Sequence, residues 1–167
     1  MTLVEFHAIW ERFAEARLVA ALNAFPQVFI TENAVRGMTS IPAGLAVVLF
    51  RGGGRYFDFR SCEELIRKGK QLVGDPNNPF QNLPREVRDH LDTMAAIRNW
   101  IVHRSEAAKD AYKRRLDKVF GITSAPDADE FLNAIDNRRA SPAKGLKRLL
   151  VIERVVRQTI SPAPTPE

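Results

Sequence analysis

The chain is 167 residues long, a length suited to one domain of ordinary size. Apolar residues make up 45% and charged residues 27%, the profile of a soluble globular protein, and a net charge of +5 permits an anionic partner without requiring one. Cys62 is the only cysteine, which excludes an internal disulfide framework and a Cys-based zinc site, and no stretch reaches the ~20 apolar residues of a membrane span.

Residues 2–24 read as a first helix. Leu3, Phe6, Trp10, Phe13, Arg17, Ala20 and Ala24 recur at helical spacing, and Thr2 with Glu5 forms a capping-box pattern. The charges Glu5, Glu11, Arg12 and Glu15 are unlike a signal peptide. With a lone thiol suited to a reducing compartment, the reading is a cytoplasmic protein. Pro26 breaks the first helix, and a second is expected from Gln27 to Arg36, ending at Gly37.

Residues 41–60 are ambiguous. The apolar run Leu45–Phe50, the glycines 52–54 and Arg55–Phe59 fit a short β-hairpin at about 45–59, while residues 42–50 fit a buried helix equally well. The three glycines are followed by no Lys-Ser/Thr, so they are read as a flexible connection and not a phosphate loop.

Ser61 and Glu64 form a capping box opening a helix from Cys62 to about Val73. Gly74–Pro79 is a loop, and Pro84 marks the start of a helix running to His103, with continuation to Phe120 left open, closed by Gly121. A short helix is expected after Asp127 and a last one over about Ala143–Ile160. The proline-rich residues 161–167 are expected to be disordered. The expected fold is all-α: a single domain over 1–160, a bundle of five to seven helices with one irregular middle segment.

The basic excess is local. Residues 1–84 hold nine basic and eight acidic side chains; residues 85–167 hold sixteen and twelve. Arg98–Lys118 carries seven basic and three acidic residues, and Arg138–Arg157 seven and one. Such clusters are either solvated helix faces or a phosphate-attracting surface.

On a helical wheel starting at Val87, Leu91, Met94, Ala95, Ile97, Ile101 and Val102 form one apolar arc, and Arg98 falls within it at about 20°. An arginine there must be paired or must reach a cleft, because an unpaired buried guanidinium is very costly. Asn99 and His103 lie one turn apart on the adjoining flank, close enough to hydrogen-bond. Histidine moves protons near neutral pH, arginine offers a fork that fits phosphate, and an amide can orient an imidazole. Within one chain the set is incomplete: Arg98 and His103 diverge by about 140°, and RNA cleavage needs both an acid and a base. A two-fold dimer would bring the segment in from both subunits.

Arg98-Asn99-Trp100-Ile101-Val102-His103, within 96–105, resembles the motif of the HEPN superfamily: an Arg, a polar residue and a His four to six residues on, near the end of a helix in a helical bundle. The resemblance implies a metal-independent endoribonuclease acting as a homodimer, of the kind found among toxins and phage-defence effectors and often controlled by an antitoxin or other partner protein. Arg98 and His103 would be catalytic and Asn99 supporting, and the product would be a 2′,3′-cyclic phosphate. No cofactor and no metal ligand set is expected. His7 reads as a packing or surface residue, and His90, roughly 20 Å from His103 along the helix, belongs to no shared site.

Two other readings stand beside this one. The chain is a non-catalytic helical module that binds a nucleotide or a partner protein, with Arg98 in the interface. Or Arg98 is neutralised within its own core by a carboxylate such as Glu5, Glu11 or Asp92.

Overall fold

The computed structural model describes residues 3–55, 57, 59–136 and 143–144. It is all-α, with seven α-helices among the described residues: α1 Leu3–Ala24, α2 Gln27–Glu32, α3 Ala43–Arg51, α4 Cys62–Val73, α5 Arg85–His103, α6 Glu106–Phe120 and α7 Ala128–Asn133. Contacts group the described chain into two compact units, residues 8–83 and residues 84 onward together with the first turn of α1.

The unit of residues 8–83 settles the ambiguous segment. The expected hairpin at 45–59 is not formed: Ala43–Arg51 is a helix, closed by Gly52 in the left-handed region at φ +59°. Only Ala46 and Phe50, one turn apart, are buried on it, whereas Val48 is 56% exposed. A run that is apolar all round has no periodicity to reveal its state, so sequence alone leaves it open. Arg51 fixes the end of α3. Its Nε and Nη2 donate to Glu15 Oε1 and Oε2 of α1 at 2.5 and 3.0 Å, a two-point fork, and Nη1 donates to the Arg55 carbonyl. Gly53 follows at φ +83° and Gly54 N donates to the Arg51 carbonyl, so the connection the glycines make is a turn.

Below this turn Phe57 and Phe59 enter the core, and Trp10 meets Phe59 and Phe80 edge-on at centroid distances of 6.4 and 5.8 Å. The helix α2 is shorter than its expected span of 27–36. Asn33 turns its side chain back to the Phe29 carbonyl, Ala34 takes a left-handed φ of +48°, and Val35 N donates to Ile30 O. That is a Schellman ending built without glycine.

The helix α4 matches its expected bounds. Ser61 Oγ accepts from Glu64 N, and the Glu64 carboxylate accepts from Arg60 N in return. The loop after it is bound tightly. Buried Asn78 donates to the Ile66 carbonyl at 2.8 Å and accepts from Phe80 N at 3.1 Å. It lies so close to Gly69 that a Cβ there would stand 2.5 Å from Asn78 Oδ1.

In the other unit, α5 and α6 are the main packed pair. The continuous helix to Phe120 left open by the sequence is not formed. Arg104 at φ +47° ends α5, and Ser105 starts α6 by accepting from Ala108 N. Gly121 closes α6 and Asp127 caps α7, both at the expected positions. Arg115 of α6 ties the pair electrostatically: its Nη2 donates to Asp92 at 2.6 Å, and its Nη1 lies 3.7 Å from Asp89. A two-residue antiparallel ladder pairs Ile135–Asp136 with Ala143–Lys144, where the last helix was expected to begin. The rest of that expected helix, 145–160, the tail 161–167 and the cap residue Thr2 lie outside the described residues.

Gly69→Ala should destabilise the protein by about 1–3 kcal/mol, because the displaced Asn78 is held at both ends and cannot give way. Urea unfolding of the two proteins measures this; equal midpoints would mean that Asn78 moves freely.

Candidate functional site

The candidate residues stand on the last turns of α5, and the buried stripe of this helix decides how they face. Val87, Leu91, Met94 and Ile97 are buried, as expected. His90 and Thr93 are buried with them. Each bonds a carbonyl of its own helix: His90 Nδ1 is 2.7 Å from the Glu86 carbonyl, and Thr93 Oγ1 donates to the Asp89 carbonyl at 2.7 Å. His90 also stands edge-on to Phe120, so it is a packing residue. Including these two rotates the buried arc away from Arg98. The guanidinium therefore sits at the flank of the core, not in its middle, and Val102, one turn on, is 49% exposed.

This position answers the question of how Arg98 is satisfied. Its Nη1 donates to Asn99 Oδ1 at 2.8 Å on the solvent side. Among the described residues this is its one side-chain bond, and the partner is a neutral amide. The carboxylate pairing offered as one reading is not made there; Asp92 instead takes Arg115. Arg98 thus has no carboxylate partner among the described residues and keeps most of its five donors for an incoming anion.

Asn99 and His103 are exposed, and His103 is the last residue of α5. The hydrogen bond their spacing allows is not formed among the described residues. Asn99 instead holds the arginine. Arg98 and His103 are five residues apart, about 7.5 Å along the axis and about 140° around it. The structure brings Arg98 to Asn99 and leaves His103 on the neighbouring flank. Among the described residues no three His, Cys, Asp or Glu side chains group to hold a metal ion.

The sequence reading passed over a second cluster on the other side of His103. Trp100 precedes His103 by three residues, so the two are neighbours on the helix surface. Arg104 folds back over the Trp100 ring, with Cζ 5.0 Å from the centroid, and Lys109 Nζ of α6 lies 5.8 Å from it. Asp127 Oδ1 accepts from Ala128 N at 2.8 Å, Trp100 Nε1 at 3.3 Å and Arg104 Nη1 at 3.4 Å. These donors hold the Asp127 carboxyl below the usual carboxylate range, the Ala128 backbone bond first and then the Trp100 bond. Beside it buried Tyr112 donates to the Pro126 carbonyl, and burial pushes its phenol well above the ordinary value. The signal in the sequence was the pairing of Trp100 with Arg104 across one turn, next to the Ser105 cap. It was obscured because the helix break at Arg104 lacks a glycine.

Comparison with known proteins finds no match: no protein family, curated protein or solved structure is significantly similar to the chain. No helix among the described residues is long and apolar enough to cross a membrane.

Two outcomes follow. A left-handed residue with a Cβ is strained by about 1–2 kcal/mol, and the exposed contacts of Arg104 offset little of that. Arg104→Gly should leave the melting temperature unchanged or raise it by a few degrees; a marked fall would mean that its side-chain contacts dominate. Asp127 acts in the opposite sense to a raised group. Its folded carboxyl is more acidic than in the unfolded chain, so its stabilisation is complete above the ordinary carboxylate range and is lost as pH falls through the lowered value. Thermal unfolding of Asp127→Asn should therefore be less sensitive to acid below about pH 5 than that of the parent.

Proposed function

We propose that the protein is a metal-independent endoribonuclease of the HEPN type that works as a homodimer. One observation carries the reading: Arg98 is held at the protein surface by a neutral amide, so its charge is left for a phosphate. The motif resemblance and the placement of Arg98, Asn99 and His103 on the last turns of a helix in an all-α fold support it.

The chemistry assigns each group a task. A ribose 2′-oxygen attacks the adjacent phosphorus while the bond to the 5′-oxygen breaks. One histidine takes the 2′-proton and another gives a proton to the leaving oxygen, so a cyclic phosphate and a free 5′-hydroxyl result without water or metal. Arg98 meets the negative charge that grows on the phosphoryl oxygens, and Asn99 sets its direction. A single copy supplies one such histidine, and its His103 diverges from Arg98. A second copy on a two-fold axis supplies the other. The single cysteine, buried Cys62, fits a reducing compartment, as would suit an effector acting on cytoplasmic RNA under a partner protein's control.

A second reading is favoured by one observation. His103 makes no hydrogen bond among the described residues, whereas imidazoles used as bases are commonly oriented by a neighbour. On that reading the segment binds a nucleotide or a partner protein and does no chemistry.

RNA should be cleaved in the presence of EDTA, leaving cyclic phosphate ends. His103→Ala should lower the rate at least 100-fold with the circular dichroism spectrum unchanged. Undiminished cleavage by that variant would defeat the nuclease reading, and no cleavage by the parent would leave the binding module.

A further inference from the structure

The geometry points to a nucleobase-stacking site beside the scissile position, formed by Trp100 and Arg104, with Lys109 for the phosphate of the same nucleotide. We infer that it takes one nucleotide of single-stranded RNA; the inference deepens the nuclease reading and rests on it for the location of the cut.

Four observations converge. First, the Trp100 indole is fixed in direction, because Nε1 is bonded to Asp127 while its ring is covered by Arg104. Second, the Arg104 guanidinium lies over the ring, with Cζ 5.0 Å from the centroid. Its side chain is 51% exposed, so its outer side is open to solvent. Bases stack on arginine planes as they do on aromatic rings, and the attraction holds for every base because each has a π-face. Third, Arg104 is one of two non-glycine residues with positive φ among the described residues. The strain places its side chain back over the helix it ends, and glycine would close α5 more easily. Strain kept where a common residue would remove it is what a functional position shows. Fourth, the cluster adjoins His103 on the flank away from Arg98, so a base seated on Trp100–Arg104 lies next to the histidine that acts at the scissile bond.

The carboxylates nearby do not block this. Asp127 lies 3.4 Å from Arg104, and Glu106 lies 3.7 Å from Lys109. Both are exposed ion pairs, which are weak and yield to a phosphate that brings its own hydrogen bonds. Asp127 stays engaged by Ala128 N and Trp100 Nε1 when Arg104 turns to the nucleotide.

The test uses a short 2′-O-methyl RNA, which lacks the attacking hydroxyl and so is not cut, and the same strand with every base removed. Tryptophan emission reports binding: Trp100 is half-buried beneath the exposed Arg104, while Trp10 is buried at 5% exposure and serves as a constant background. The base-bearing strand should quench emission saturably, and the abasic strand should bind roughly ten- to a hundredfold more weakly. Arg104→Lys keeps the charge and loses the plane, so it should weaken the base-bearing strand by about tenfold and leave the abasic strand unaffected. Arg104→Gly, which suits the backbone, should do at least as much without unfolding the protein. Equal binding of the two strands, equal binding by Arg104→Lys, or no binding at all would overturn the proposal. These outcomes are separate from cleavage: base-dependent binding in a protein that never cuts RNA upholds the stacking site and removes the nuclease reading.

Discussion

The left-handed turn at Arg104 is the constraint on which the candidate site depends. If α5 ran on to Phe120, His103 would be a mid-helix residue and Trp100 would lie on a continuous surface. The turn makes His103 a terminal residue instead, and it gives the backbone room for Ser105 to cap α6. It also sends the arginine side chain back along the helix it has just ended, over Trp100. Helix termination, the pairing of α5 with α6 and the layered Trp–Arg surface thus share one backbone dihedral, and a residue chosen only for termination would have been glycine.

Several elements were legible because their signals are local. Ser61 caps α4 at Glu64 N as their spacing implies, with the Glu64 carboxylate accepting from Arg60 N, Gly121 ends α6, and Asp127 starts α7. The helix breaks without glycine were not legible. Ala34 and Arg104 both adopt left-handed backbone against their own preference, so neither marks itself in a sequence. The segment 43–51 was unreadable for a different reason: nearly every position is apolar, so neither a period of two nor one of 3.6 emerges, and the choice falls to the Gly52 cap and the Arg51–Glu15 fork, the latter between residues 36 positions apart.

The candidate site was legible by composition but not by direction. Arg98, Asn99 and His103 are marked by their spacing, and all three stand on the last turns of α5, with His103 on a different flank from Arg98. That Arg98 lies outside the middle of the buried arc was not legible, because a wheel that counts only apolar residues leaves out His90 and Thr93. Polar side chains that bond their own helix's carbonyls behave as core. Once they are counted, the stripe turns, Arg98 comes to the edge, and Asn99 is drawn to it instead of to His103. The same accounting explains why Asp92 was a poor candidate partner: it already holds α6 through Arg115.

The loop after α4 has a consequence of its own. Gly74–Pro84 has the Gly, Pro and Asn content of a segment that proteases cut readily. Yet Asn78 bonds to the backbone at both ends, and Phe80 and Leu83 are buried, so the middle of the segment is tied to the core. Cleavage beside buried Asn78 or Phe80 needs Asn78 to detach from α4, an opening whose frequency is set by local unfolding. The chemistry of the turn residues and the accessibility of the chain are here opposed, and limited digestion would report the first loosening of this unit, not its surface.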